Sequence, residues 1–336
     1  MSIAVVIPFH KEPDWSLFEN LSSDVHIYAV DDSPEDQHEM HTFPKQKFAD
    51  VCWLRSFPKY GVRSSASRNI GHREAYADNH DIIMALDSDC RPDETFVEWH
   101  TERLGKAPTL GHSSSTGWLS TTHHIDAKWP RGYPYEARDG DPQLVVLEHE
   151  KRTIKLNMGI WNGVLDMNAI DRLQHEPPPA VTPWNYTALS MFPICGMNVA
   201  FAAELLPAYF FLPDIEIDGW TMSRHDDIWG GYILKRLMDK KGDLASFGQP
   251  VVEHTVLSDR DRALVREHWM HLLARGFYAC VDEAVTHVKV GSYQEMYAAF
   301  VPLFKAAVEV SREPRHYREA YLKLAAYMEN WVAAFS

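Results

Sequence analysis

A doubly wound α/β sheet followed by a helical C-terminal extension is the fold this sequence predicts, and three observations predict it. Short, continuously apolar runs recur through about the first hundred residues with a helical stretch among them, the rhythm of βαβ units. Two of these runs stop abruptly at acidic clusters, Asp31-Asp32 and Asp87-Ser88-Asp89. From Asp261 to the end the pattern is helical, interrupted near Gly291 and Pro314.

Taken in order, Ile3–Phe9 is apolar throughout and reads as a strand buried on both faces. It lacks a basic flank and is too short for a signal peptide. Val25–Val30 is a second strand, ending at Asp31-Asp32-Ser33-Pro34, and Val51–Leu54 is a shorter third. Ser65–Asn79 reads as a helix leaving a serine-rich turn, with Ser64 or Ser65 placed to cap it. Asp81–Leu86 is another buried strand and runs straight into Asp87-Ser88-Asp89. Residues 111–193 are rich in Gly, Pro, Trp and His with weak periodicity, and Pro177–Pro179 implies an extended loop. Order resumes over Phe192–Leu206. Ile228–Asp239 carries Trp229, Tyr232, Ile233 and Leu237 on one helical stripe, and Phe247–Val252 is a last strand before Glu253-His254. The expected division is an α/β domain over 1–258 and a helical subdomain over 259–336, the latter also readable as a surface for self-association.

Composition narrows the function. With 336 residues, 45% hydrophobic and 12% aromatic, the chain can fill a large core. Its formal net charge of −14 argues against nucleic acid or an anionic membrane as partner. A diphosphate bound to so acidic a protein needs local compensation from a metal ion, helix N-termini or arginines. Cys52, Cys90, Cys195 and Cys280 form no CxxC pair, which disfavours a zinc ribbon or disulfide scaffold and suits a reducing cytoplasm. No apolar stretch is long enough for a membrane span.

Asp87 and Asp89, two residues apart where a strand turns into a loop, can face one cation. Hard carboxylate oxygens suit Mn²⁺ or Mg²⁺, which would share phosphate oxygens of a nucleoside diphosphate; the bland alternative is a solvated acidic turn. In doubly wound sheets ligands lie beyond the carboxyl ends of the strands, where both acidic clusters fall. Asp31 and Asp32 suit a base or ribose, or simply a turn. Arg63 and Arg68 sit at the start of a helix, within reach of a diphosphate. Asp226 and Asp227 precede a helix and are read either as its cap, complementing its dipole, or as the acceptor-side acid of a sugar-transfer site. His254, at a strand end, can close the metal shell or be structural. No G-x-G-x-x-G, P-loop, H-E-x-x-H or G-x-S-x-G signature is present.

Four blocks together resemble the reversibly glycosylated polypeptides, the UDP-arabinopyranose mutase family of GT-A glycosyltransferases. They are Asp87-Ser88-Asp89-Cys90, Arg131-Gly132-Tyr133-Pro134-Tyr135 continuing to Arg138, Phe192-Pro193-Ile194-Cys195-Gly196-Met197-Asn198-Val199-Ala200-Phe201, and Arg224-His225-Asp226-Asp227-Ile228-Trp229. The likeness spans roughly Ile3 to His254, in the family's order. It implies a GT-A fold, a UDP-sugar, Mn²⁺ or Mg²⁺, and reversible attachment of sugar to Arg131, with Arg138 a second important arginine. The expected nucleotide-sugar contacts are Pro8, Asp31, Asp32, Arg63, Arg68, Asp87, Ser88, Trp161, Gly196 and Asn198; the expected metal ligands are Asp87, Asp89 and His254. The family's usual acidic triplet is Asp-Asp-Asp, and Ser88 takes its middle position here. Between Arg138 and Trp161 the match loosens, with an insertion expected near 148–155.

Three readings follow. The first is a mutase-type enzyme with Arg131 as transient carrier; the second is a glycosyltransferase to a separate acceptor, with Asp226 or Asp227 as acid or base. The third is a non-catalytic partner subunit, which would have lost the metal acids or Arg131; both are present.

Overall fold

The computed structural model describes residues 1–10, 14–21, 24–32, 51–55, 65–122, 129–138, 143–173, 184–256 and 259–336. Arg63, Ser64 and Pro177–Pro179 lie outside the described residues.

The expected opening strands form: β1 (Ile3–Phe9), β2 (Val25–Asp31), β3 (Val51–Arg55) and β4 (Ile82–Leu86). They pair in parallel in the order β3-β2-β1-β4, with Phe9 against Asp31 at the carboxyl ends. Helix α1 (Arg68–Ala77) follows a single 3-10 turn at Ser65–Ser67. Its N-cap is Ser67, without a side-chain capping bond, not the expected Ser64 or Ser65. Gly71 lets α1 approach closely, because a Cβ there would meet Val6 and Val30 of the sheet.

Beyond β4 the sheet ceases to be parallel, which the doubly wound reading did not anticipate. After β5 (Cys90–Pro92) and α2 (Phe96–Arg103) come β6 (Leu110–Ser114), β7 (Leu144–Glu148), β8 (Ile154–Gly163), β9 (Asn185–Ala188) and β10 (Asn198–Ala202). A hairpin of β11 (Ile215–Ile217) and β12 (Trp220–Met222), helix α3 (Asp226–Lys241) and β13 (Leu244–His254) complete the α/β part. Strand β10 joins β4 antiparallel, and the eleven-stranded sheet continues β8-β13-β9-β6-β7, with β5 on β13. The fold is thus α/β as expected, but the sheet is mixed. The middle third is also less loop-like than its weak periodicity suggests. Strand β8 is central, and the segment of loose resemblance holds the β7–β8 connection.

Side chains alternate across β10. Phe201 faces α1 through His72, ring centroids 5.5 Å apart, while Asn198 faces α2, its Oδ1 accepting from His100 Nε2 over 2.8 Å. The helices therefore cover both faces. Helix α3 is buried on nearly its whole circumference, Lys235 included, so the expected single apolar stripe understates it. Its other cover is the tail: α4 (Arg260–His287), α5 (Tyr293–Val310) and α6 (Arg315–Ala333). Trp229 stacks on Phe277 at 4.1 Å and Phe210 on Trp331 at 5.0 Å, so one hydrophobic core runs from the sheet into the tail. No helix among the described residues is long and apolar enough to cross a membrane.

Candidate active site

The carboxyl ends of β4, β8 and β13, the amino end of β10 and the N-terminus of α3 surround one cleft. As bounded by the described residues it encloses about 160 Å³. Arg68, Asp87, Asp89, Arg131, Asp226, Asp227 and His254 all line it. The chemistry-bearing residues expected from four separate blocks of sequence thus converge.

Topology sets the first wall. Strand β5 begins immediately after Asp89 and pairs with β13 so that Cys90 lies opposite His254. Asp89 Oδ2 is consequently 3.4 Å from His254 Nε2. The other ring nitrogen, Nδ1, is 2.7 Å from the Val164 carbonyl. Donating there leaves Nε2 facing Asp89 and the cleft, the ring orientation seen in metal-binding histidines. Asp87 accepts a hydrogen bond from Arg68 Nη2 at 2.5 Å, and Arg68 Nη1 donates to the Gly196 carbonyl. Two carboxylates and one imidazole make a donor set that fits a hard divalent cation. Among the described residues, however, no three such groups lie close enough to hold a metal by themselves.

The second wall is an ionic network around Arg131. This residue is 6% exposed and all five of its side-chain N–H donors are engaged. Nε donates to Asp166 at 2.6 Å; Nη1 to the Arg224 carbonyl at 2.7 Å and Asp227 at 2.8 Å; Nη2 to Asp227 at 2.6 Å and Cys195 Sγ at 3.5 Å. Burial alone would lower its pKa, but Asp166 and Asp227 outweigh burial and raise it well above the ordinary value. Gly132 follows with φ of 82°, and a Cβ there would collide with Ile228, so the turn that presents Arg131 requires glycine.

The neighbouring acids of α3 are opposites. Asp227 accepts from Arg131, from the Gly196 amide at 2.9 Å and from the Ile228 amide at 2.9 Å. Burial pushes its pKa up, but Arg131 and these bonds overcome burial and hold it below the carboxylate range. Asp226 is 2% exposed, and its Oδ2 has no hydrogen-bond partner among the described residues. Burial first, then the Asp227 charge, raises its pKa far above the carboxylate range, leaving it a proton carrier. One acid is anchored and the other is poised. The capping reading fails for Asp226, since the N-cap is His225.

Other expected contacts stand apart. Arg138 makes a fork to Asp171 at 3.0 and 2.8 Å and packs over the Tyr135 ring at 4.4 Å, outside the cleft lining. Asn198 is committed to His100 and to the Ile160 carbonyl on the α2 face, and Trp161 is 3% exposed in β8, so neither is presented to a ligand. Period-2 alternation turns Asn198 away even though its block reaches the site. Gly196 acts by being small: a Cβ would meet Arg68 Nη1 and the Phe211 ring. Pro8, Asp31 and Ser88 sit at or near carboxyl ends of β1, β2 and β4 without lining the described cleft, and Asp32 lies 3.2 Å from His10 Nδ1. Sequence reasoning missed Asp166, Arg172, Arg224 and Glu267. Asp166 falls in the segment without periodicity, and Glu267, between Arg266 and His268 on a helix, looks like a solvated charge.

Fold and site together describe an α/β protein with an acidic, arginine-braced cleft suited to a phosphorylated ligand. Residues 79–336 match the family model for reversibly glycosylated polypeptide, and the chain belongs to that family. It is 30% identical over 215 residues to a probable UDP-arabinopyranose mutase 1 of Pisum sativum, covering 61% of this chain and 52% of that protein. It is 28% identical over 198 residues to UDP-arabinopyranose mutase 3 of Arabidopsis thaliana, covering 55% of this chain and 50% of that one. The matches thus span about half the length of these curated relatives. Among solved structures, S. aureus TarS 1–349 in complex with UDP-GlcNAc aligns over 99% of this chain and 90% of that chain, with a TM-score of 0.40 and 11% identity.

Proposed function

We propose that this protein is a UDP-sugar enzyme of the arabinopyranose-mutase type, working with a bound divalent cation. The observation that carries the reading is the cleft itself. Metal-type donors Asp87, Asp89 and His254 share it with a protonated, unpartnered Asp226 and with Arg131. The relatives named as UDP-arabinopyranose mutases supply the substrate class. Asp87, Asp89 and His254 would hold Mn²⁺ or Mg²⁺, with diphosphate oxygens completing the shell. The cation would neutralise charge on the departing nucleoside diphosphate.

Arg131 is the proposed transient carrier. A guanidinium nitrogen attacks the anomeric carbon, the bond to the diphosphate breaks, and the nitrogen's proton passes to Asp227 or Asp166, each already bonded to Arg131. Return of the diphosphate reverses these steps after the ring has reopened and reclosed. The difficult step is loss of a proton from so strongly held a cation.

That difficulty favours one second reading. With all five Arg131 donors engaged, Asp226 is the freer proton-transfer group, and its ionised form would serve as base for transfer to a separate acceptor hydroxyl.

Incubation with radiolabelled UDP-arabinopyranose and Mn²⁺, followed by mass spectrometry of the protein and analysis of soluble sugars, separates the two. Label on the Arg131 peptide that UDP chases off, together with furanose product, is the expected result. Transfer only to an added acceptor sinks the carrier role and leaves the second reading.

A further inference from the structure

Arg224 occupies the cleft in a way that Arg68 and Arg131 do not. Its side chain is 26% exposed, against 2% and 7% for the other two. Its backbone is left-handed, φ 64°, and its carbonyl is held by Arg131. The guanidinium is gripped along one edge: Nε donates to Glu267 Oε1 at 2.7 Å and Nη2 to Asp166 Oδ1 at 3.2 Å. Among the described residues no hydrogen bond occupies Nη1.

Glu267 reaches this point from α4 of the tail. It is 2% exposed, and its second oxygen accepts from the Ala169 amide at 2.7 Å, so it is fixed at both ends. Burial pushes its pKa up, but His271 at 3.8 Å, the Arg224 charge and the Ala169 amide bring it down to about 2. It is therefore a permanent anion, anchored on a helix outside the sheet.

We propose that Arg224 is the cation that grips the diphosphate of the bound nucleotide sugar, and that Glu267 is the positioning residue that aims it. The assignment rests on the nucleotide-sugar reading above. A protein of net charge −14 must supply a local cation for a diphosphate, and a guanidinium fork matches phosphate oxygens. Arg131 has no N–H to give, Arg68 is tied to Asp87 and Gly196, and Arg172, the other arginine of the lining, is also engaged. The tail then has a task beyond covering α3: it carries one of the two carboxylates that orient the phosphate-binding arginine.

Calorimetric titration with UDP and with uridine, both in Mn²⁺, tests this on the full chain. Arg224→Ala should weaken UDP on the order of ten- to a hundredfold while uridine affinity is unchanged. Arg224→Lys, which retains charge and bulk should Ala fail to fold, should fall between. Glu267→Gln should weaken UDP by about three- to tenfold without moving uridine, the change expected for one lost charge-assisted bond acting through another residue. Equal UDP affinity in wild type and both Arg224 variants overturns the assignment. A Glu267→Gln protein that melts earlier but keeps the UDP-to-uridine ratio overturns the positioning role. Failure of the wild type to bind UDP defeats the nucleotide-sugar reading itself.

Discussion

Arg131 and Asp227 meet as a two-point pair in the floor of the cleft, Nη1 to Oδ1 at 2.8 Å and Nη2 to Oδ2 at 2.6 Å, both side chains buried. Such a pair contributes little over an apolar pair of the same shape, but breaking it strands a buried charge. Arg131→Ala should therefore cost about 3–5 kcal/mol of stability, measured by urea denaturation at neutral pH. A loss under about 1 kcal/mol would mean that Asp227 and Asp166 find other partners, and that the network is not what holds α3 to the cleft.

Asp226→Asn isolates the poised acid. Asn is close in shape to a protonated carboxyl, and the wild-type Oδ2 has no partner to lose. Stability at neutral pH should stay within about 1 kcal/mol of wild type, and UDP binding should be unchanged. Turnover of UDP-sugar should fall at least about a hundredfold, as expected for loss of a positioned proton-transfer group. An Asp226→Asn enzyme with unimpaired turnover would remove Asp226 from the mechanism.

Chelation tests the first wall. Stripping divalent cations with EDTA should weaken UDP binding by more than about tenfold, and Mn²⁺ should restore it. Asp89→Asn should mimic the stripped protein even with Mn²⁺ present, since Asp89 is the carboxylate facing His254 Nε2. UDP affinity indifferent to both treatments would assign these acids another purpose.

Particular elements show what the sequence made legible. Strands β1, β2 and β4 were readable because burial on both faces demands uninterrupted apolar runs, a purely local signal. The three tail helices were readable from periodicity and from breaks near Gly291 and Pro314. The antiparallel insertion of β10 beside β4 was not, since pairing direction depends on where distant chain returns. Convergence of Asp87, Asp89, Arg131, Asp226, Asp227 and His254 was anticipated from motif blocks, but the division of labour between Asp226 and Asp227 was not. The two adjacent aspartates are told apart chiefly by Arg131 and the Gly196 amide, contacts 96 and 31 residues away. Asn198 shows the converse error, where membership in a motif said nothing about which face of the strand it takes.

Asp214, just before β11, provides a pH test away from the metal-type donors. Its Oδ1 is buried without a partner among the described residues. Burial first, opposed by the Arg266 charge and reinforced by Asp32 and Glu216, pushes its pKa from 3.8 to about 7. A carboxyl whose folded pKa is raised holds its proton more tightly folded than unfolded. Ionisation therefore costs stability progressively from about pH 4 up to about pH 7, and the whole cost persists at higher pH. At 1.36 kcal/mol per unit, a rise of about 3 units sets an upper bound of roughly 4 kcal/mol. Asp214→Asn should match wild type near pH 4 and exceed it increasingly up to neutral pH, in urea denaturation at fixed ionic strength. A constant difference across that range would mean that Asp214 ionises as freely in the folded protein as in the unfolded chain.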